Sequence, residues 1–310
     1  MPGRILPLIA VLAAGLAAAA AGCGGGGSST STTPLHGPGS GRPPVVIGSQ
    51  NFDEQRILGE LYAQALRAKG FRVRLKPDLP NPVAADQALV DGQIDGYPEY
   101  IGAILETIAH DPRPPARPGA AYRAVRAFEA GRALSALPPT PFERATALAT
   151  TAAYARAHRL TQIGGLARVG SFALGAVPDF GTRAAGLPAV RRAYGIAGAR
   201  FVPLSRGVQY PALDRGRVQA AAVMTTDPPL RTGRYAVLAD PKRVFGVQNV
   251  VPVFSRAVLA AEGPVFTRTV EAVSAKLTTQ AMRRMNAAVE VAKRSPADVA
   301  HDFLDSGGLT

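Results

Sequence analysis

VVIGSQNFDEQRILGELYAQALRAKGFRVRLK, residues 45–76, decides the fold. Val45–Gly48 is a short apolar strand ending in glycine. Asn51 offers an N-cap to a helix, with Glu54 three residues on as in a capping box. Ile57, Leu58, Leu61, Tyr62, Ala65 and Leu66 then recur at helical spacing, and Gly70 ends the helix. Phe71–Lys76 sets Phe, Val and Leu alternately against Arg, Arg and Lys, the pattern of a half-exposed strand. Strand, helix, strand predicts a right-handed crossover and two parallel strands. Ligands of open α/β sheets gather at the carboxyl ends of the strands. The turn Gly48-Ser49-Gln50-Asn51 therefore lies on a binding edge, beside helix N–H groups and the positive end of the helix dipole.

Outward from this unit, Val83–Asp91 reads as a second amphipathic helix capped by Gly92. QIDGYPEYIGA, residues 93–103, follows, and Gly92, Gly96 and Pro98 predict a turn there. It carries Tyr97 and Tyr100 beside Asp95 and Glu99. The π-face of a tyrosine attracts a cation that has no N–H groups to donate; the same rings would serve equally as core filler. Asp95 and Glu99 read as solvated turn residues rather than as a catalytic pair of carboxylates. Pro112–Pro118 is a break and Tyr122–Leu137 is helical. Strands are predicted at Thr146–Thr151, Ser171–Val177, Arg200–Pro203, Val218–Met224 and Val250–Phe254. Helices are predicted at Ala152–Arg159, Leu187–Tyr194, Val208–Arg215, Val265–Met282, Ala287–Lys293 and Pro296–Leu304. The alternation breaks near residues 146 and 227. This gives a two-lobed α/β protein with two hinge crossings and a ligand cleft between the lobes: residues 45–145 and 228–310 form lobe 1, and residues 146–227 form lobe 2.

The 310 residues suffice for two domains, and 47% are hydrophobic, enough for sizeable cores. The formal charge of +13 is spread along the chain, mostly as arginine and without a run of five, which argues against a nucleic-acid footprint. The four histidines fit no metal-ligand spacing, and no cofactor is implied. No phosphate loop, dinucleotide fingerprint or nucleophile elbow occurs, so the sequence supports no enzyme activity.

Residues 1–22 carry one early positive charge, Arg4, then an apolar run from Ile5 to Ala21. Ala21-Gly22-Cys23 closes it with small residues, as at a secretory cleavage site. Cys23, the single cysteine, has no internal partner, and Gly24–Gly27 with a Ser/Thr run follows it. This resembles a bacterial lipobox, with Ala20 where leucine is usual. On that reading Cys23 carries lipid and residues 23–44 are a flexible tether outside the cytoplasmic membrane. Plain signal-peptide cleavage is the alternative.

The blocks IGSQNFDEQRILGELYAQAL, ALVDGQIDGYPEYIGAIL, GVQYPALDRGRVQAA with TTD, and SPADVAHDFLDSGGL resemble the substrate-binding proteins of ABC importers for osmoprotectants, in order from about Val45 to Leu309. The resemblance implies a type II-like periplasmic-binding-protein fold, two lobes closing on a hinge. It implies a cage of tyrosines around a quaternary ammonium such as glycine betaine, choline or carnitine, with polar groups on the ligand's carboxylate. It also implies delivery to a permease and its ATPase. Carried over by position, the ligand contacts are Gln50, Tyr100 and Tyr210. Ala103 stands where a polar residue is usual, and Thr146 and Leu187 stand where the family has aromatic residues. Both are carried as pocket lining by position, and Phe180 and Tyr194 are the rings available to replace them. Thr225 and Thr226, on the return crossing, are read either as pocket hydroxyls or as hinge chemistry. The missing rings leave two alternatives open: another zwitterion such as an amino acid, or a sensor or scaffold lipoprotein without cargo.

Overall fold

A computed structural model describes residues 37–310, within one compact unit, Leu35–Thr310. The leader read at 1–22, Cys23 and the tether up to residue 36 lie outside the described residues. Residues 37–44, read as tether, are docked instead. The Gly39 amide donates to the Lys69 carbonyl at 3.0 Å, and the Arg72 guanidinium donates to the Arg42 carbonyl at 2.8 Å. Gly39 is buried against Phe71, where any Cβ would meet the Phe71 amide at 2.4 Å.

The chain runs β1 (Val45–Gln50), α1 (Asp53–Ala68), β2 (Val73–Leu79), α2 (Pro82–Val90), β3 (Gly96–Tyr100), α3 (Pro118–Ala130), β4 (Leu134–Ala136) and β5 (Thr146–Thr151). It continues α4 (Ala152–Ala157), β6 (Phe172–Ala176), α5 (Leu187–Tyr194), β7 (Ala199–Pro203), α6 (Gln209–Asp214), β8 (Ala220–Met224) and β9 (Tyr235–Leu238). It ends with β10 (Val250–Ser255), α7 (Arg256–Glu262), α8 (Pro264–Lys276), α9 (Thr279–Glu290) and α10 (Pro296–Ser306). Two five-stranded sheets result, ordered β2-β1-β3-β10-β4 and β7-β6-β8-β5-β9. The expected crossover is present: β1 is parallel to β2 and to β3, and Val45 is level with Val73. Each sheet is buried on both faces. In the first lobe Ile57, Leu58, Leu61, Phe266 and Met282 belong to one apolar cluster, and Leu89, Tyr97, Ile104 and Val125 to another. The second lobe repeats this with Leu148, Leu174 and Val190 in one cluster and Ala221, Val223 and Leu213 in the other. This is the two-lobed, type II-like architecture.

Several expectations change. Helix α1 is capped at Phe52 without a side-chain hydrogen bond, so Asn51 is not the cap; Asp53 and Glu54 instead place negative charge in the first turn. Residues 96–100 form a strand, not a turn. With helices over both faces, Tyr97 is 0% exposed and Glu99 is 0% exposed, so Glu99 is no solvated turn residue. Pro98 is tolerated because it stands opposite Pro252, another residue without a donor, while its carbonyl accepts from Gln55 Nε2 at 3.1 Å. Gly96 has to be glycine because the Phe254 ring would lie 2.1 Å from its Cβ. The stretch read as one helix over 122–137 is α3 followed by β4, and the two helices read at 265–282 and 287–293 are α8 and α9, with the break earlier, at Leu277.

The return crossing also lies later than the sequence implies. Strand β9, Tyr235–Leu238, pairs antiparallel with β5, so residues beyond 227 still belong to the second sheet. The chain dips to the first lobe after β8, where a short helical turn, Pro228–Thr232, packs on α9. It goes back to form β9 and crosses finally between Leu238 and Val250.

Candidate functional site

Gln50 ends β1, on the edge that the crossover predicts, and Tyr100 ends β3, which parallel pairing brings to the same edge of the first sheet. The carboxyl of Glu99 joins them. Gln50 Nε2 donates to Glu99 Oε2 at 2.8 Å, and the Tyr100 amide donates to Glu99 Oε1 at 2.8 Å. Burial without a cationic partner pushes Glu99 up to about 8, although these two hydrogen bonds pull it back.

The Tyr100 hydroxyl donates to Glu54 Oε1 at 2.8 Å, and its ring stacks on Phe52 at 6.4 Å and 18°. Burial raises its phenol well above the ordinary value, with the Glu54 charge adding to the effect. Glu54 is itself 2% exposed. Its Oε2 accepts from Asn286 Nδ2 at 2.8 Å, and Arg144 Nε lies 3.7 Å from its Oε1. The Arg144 guanidinium also lies over the Phe52 ring, 5.0 Å from the centroid. Phe52, Glu54, Arg144 and Asn286, with Thr226 and Asp227 but not Tyr100, line a cavity of about 330 Å³.

On the second lobe the Tyr210 hydroxyl donates to Asp227 Oδ2 at 2.9 Å, and its ring meets Tyr235 edge-on at 4.8 Å. Asp227 Oδ2 also accepts from the Met224 amide at 3.0 Å. Burial raises both Tyr210 and Asp227, the Asp227 charge adding to the shift of Tyr210. Thr226 is buried, and its carbonyl accepts from Asn286 Nδ2 at 3.1 Å. Thr225 is a hinge residue: its hydroxyl donates to the Glu143 carbonyl at 2.5 Å and accepts from the Ala145 amide at 3.0 Å. That hydroxyl ties the outgoing chain to the return chain and is not free for a ligand.

Thr146 is half-buried at the start of β5 and accepts from Arg183. Leu187 stands apart from the others. It is 2% exposed and belongs to the apolar cluster of the second lobe with Phe180, Val190 and Phe245, because α5 turns its first residue inward. It is therefore not pocket lining. Phe180, 0% exposed, is in the same cluster, and the Tyr194 hydroxyl is bonded to Asp240, so neither ring completes a cage. The structure thus brings Gln50 and Tyr100 together on one lobe and keeps Tyr210 on the other, with Thr226 between them. Sequence reasoning missed Glu54, Glu99, Arg144, Asp227 and Asn286. Of these, Glu54 and Glu99 carried a readable signal, acidic residues inside otherwise apolar blocks.

Among the described residues no cluster of three or more His, Cys, Asp or Glu is arranged to hold a metal, and no helix is long and apolar enough to cross a membrane. Residues 43–306 match the family model for the substrate binding domain of the ABC-type glycine betaine transport system. The chain belongs to this family. It is a family of substrate-binding proteins, not a class of enzymes. A glycine-betaine-binding protein of Pseudomonas aeruginosa is 32% identical, with 83% of this chain and 86% of that one covered. The glycine betaine-binding protein YehZ of Escherichia coli is 28% identical, over 86% of this chain and 92% of its own length. The solved apo form of YehZ superposes with a TM-score of 0.77, over 86% of this chain and 99% of that one.

Proposed function

We propose that the protein captures a quaternary-ammonium osmoprotectant of the glycine betaine, choline or carnitine type outside the cytoplasmic membrane and hands it to a permease driven by an ATPase. The observation that carries this reading is the family match over 43–306 together with Tyr100 on the first lobe and Tyr210 on the second. Gln50, Tyr100, Tyr210 and Thr226 are the proposed contacts. Thr146 joins them by position. In this reading residues 45–145 and the segment from β10 onward are one lobe, and β5 to β9 the other. Calorimetric titration of the purified protein with glycine betaine, choline, carnitine and a panel of amino acids tests it. Saturable binding of a quaternary amine is expected; binding of amino acids alone would favour the second reading, a different zwitterion, which the absence of a ring at Thr146 supports.

The protein is further proposed to be held on the outer face of the membrane by lipid on Cys23, after removal of residues 1–22. Cys23→Ser is expected to move it from the membrane fraction to the soluble one. Unchanged fractionation, with no acyl chain on the unaltered protein, counts against the anchor.

A further inference from the structure

The chain enters the first lobe beside a basic edge of its sheet. Strand β2 is the edge strand next to β1, and Arg72, Arg74 and Lys76 alternate with the apolar Val73 and Leu75. The Arg72 carbonyl accepts from the Val45 amide at 2.8 Å, so the next carbonyl, that of Val73, turns to the open side. Arg67 of α1 covers it there, Nε donating at 3.0 Å and Nη2 at 2.9 Å. Arg72 is fixed in the same way on the Arg42 carbonyl, Nε at 3.2 Å and Nη2 at 2.8 Å. The Arg42 side chain is fixed on the Ala261 carbonyl. Arg74 has no side-chain hydrogen bond or ion pair among the described residues. All four arginines are exposed, while Glu262, the carboxyl that feels the charges of Arg42 and Arg72, is 3% exposed. Arg67, Arg72 and Arg74, with Pro44, Phe71 and Val73, line an open groove of about 520 Å³.

A strand edge with exposed charges and a covered carbonyl does not invite another strand. It suits an anionic surface: a guanidinium takes phosphate oxygens through paired N–H···O bonds, and Arg67 and Arg72, bound to the protein through Nε and Nη2, keep Nη1 for that purpose. The place of this face along the chain points the same way. The groove begins at Pro44, the end of the docked segment, and residues 24–36 before that segment span at most about 50 Å when fully extended. We infer that the β2 edge, through Arg67, Arg72 and Arg74, lies against the anionic phospholipid headgroups of the membrane surface. This rests on the Cys23 anchor proposed above, which brings the face near that surface, and adds which side of the first lobe turns to it. Each basic residue close to anionic lipid strengthens the attraction about fivefold, and the effect fades within a Debye length. Three such residues orient an anchored protein but do not hold it without its anchor.

Co-sedimentation of the purified Cys23→Ser protein with vesicles reads the face without the lipid anchor. At low ionic strength and in excess lipid it is expected to sediment with phosphatidylcholine vesicles carrying about one-third phosphatidylglycerol, not with pure phosphatidylcholine, and to be released by about 0.5 M salt. Arg74→Gln, which breaks no contact within the protein, should weaken the partitioning about fivefold, and Arg74→Glu further. Arg215→Gln removes the same charge from the second lobe, on the turn after α6, and should leave partitioning within about twofold. Equal losses in Arg74→Gln and Arg215→Gln would make the attraction one of net charge and overturn the assignment. So would failure to sediment with the anionic vesicles, or equal sedimentation with both kinds. If the protein ignores vesicles but binds inorganic phosphate in a manner that Arg74→Gln weakens, the groove is a site for free anions and the membrane assignment falls. Any of these failures leaves the anchor standing, because acylation of Cys23 is read separately by fractionation of the unaltered protein.

Discussion

Tyr100 does two things at once, and only one of them concerns the proposed ligand. Its ring, 7% exposed and stacked on Phe52, is the proposed partner of a cation, while its hydroxyl is tied to a carboxylate that is 2% exposed. Tyr100→Phe therefore leaves Glu54 with one partner fewer in a buried setting. The expected cost is about 1–3 kcal/mol of stability, read from the denaturant midpoint, although the ring is kept. From the sequence alone the hydroxyl counts for little, because the partner is 46 residues away in the chain. Glu99 gives a pH signature. Its carboxyl titrates near 8 in the fold against about 4.5 when unfolded. Between these values the folded state holds a proton that the unfolded state has lost, so stability present below pH 4.5 is lost as pH rises toward 8. Glu129, pushed by burial to about 7, acts in the same direction over the same range. Glu99→Gln stays neutral throughout and is expected to flatten part of the slope in denaturation midpoints measured between pH 5 and 8; an unchanged slope would refute the assignment to Glu99. Gln50 was legible as a site candidate because it sits in the first strand-to-helix turn, and Tyr100 because the family resemblance carried it over; that Tyr100 ends a strand on the same edge was not legible. Leu187 was misread because family position says nothing about which way a helix turns its first residue.

At the scale of elements, what the sequence showed best was whatever is local. The β1-α1-β2 unit, the glycine that ends α5 in the left-handed region at φ 65°, and the apolar β6 and β8 all follow from spacing and caps. Strands β3 and β9 did not. The glycines and proline of β3 are consistent with a turn until Phe254 and Pro252 are known to lie against them. Strand β9 has only Tyr235–Leu238, too short a run to signal itself, and its pairing with β5 supplies the rest. The hinge is likewise a tertiary object, held by the two hydrogen bonds of the Thr225 hydroxyl to residues some 80 positions earlier. Thr225→Val keeps the side chain's shape and removes both. We expect it to cost about 1–3 kcal/mol in chemical denaturation. It should also weaken ligand binding without touching the ligand, because the closed form becomes harder to hold.

For the whole molecule, the two sheets with separate cores predict two rigid bodies and a motion confined to the segments between them. Ligand favours the closed form only by its differential affinity for it. Solution scattering with a saturating, calorimetrically confirmed ligand should give a smaller radius of gyration than without it. Superimposable profiles would contradict closure.

The insertion of one lobe within the other also sets an order in time. Strands β5 to β9 are contiguous from residue 146 to 238, so the second sheet has all its strands once Leu238 has been synthesised. The first sheet does not: β10 lies between β3 and β4, and α10 packs on α1. A chain emerging from its N-terminus therefore completes one sheet first, while Ile57, Leu58 and Leu61 of the other half wait for the last helix. During that interval the emerging chain offers that apolar surface to chaperones, and a chain cut short before residue 296 would keep it uncovered.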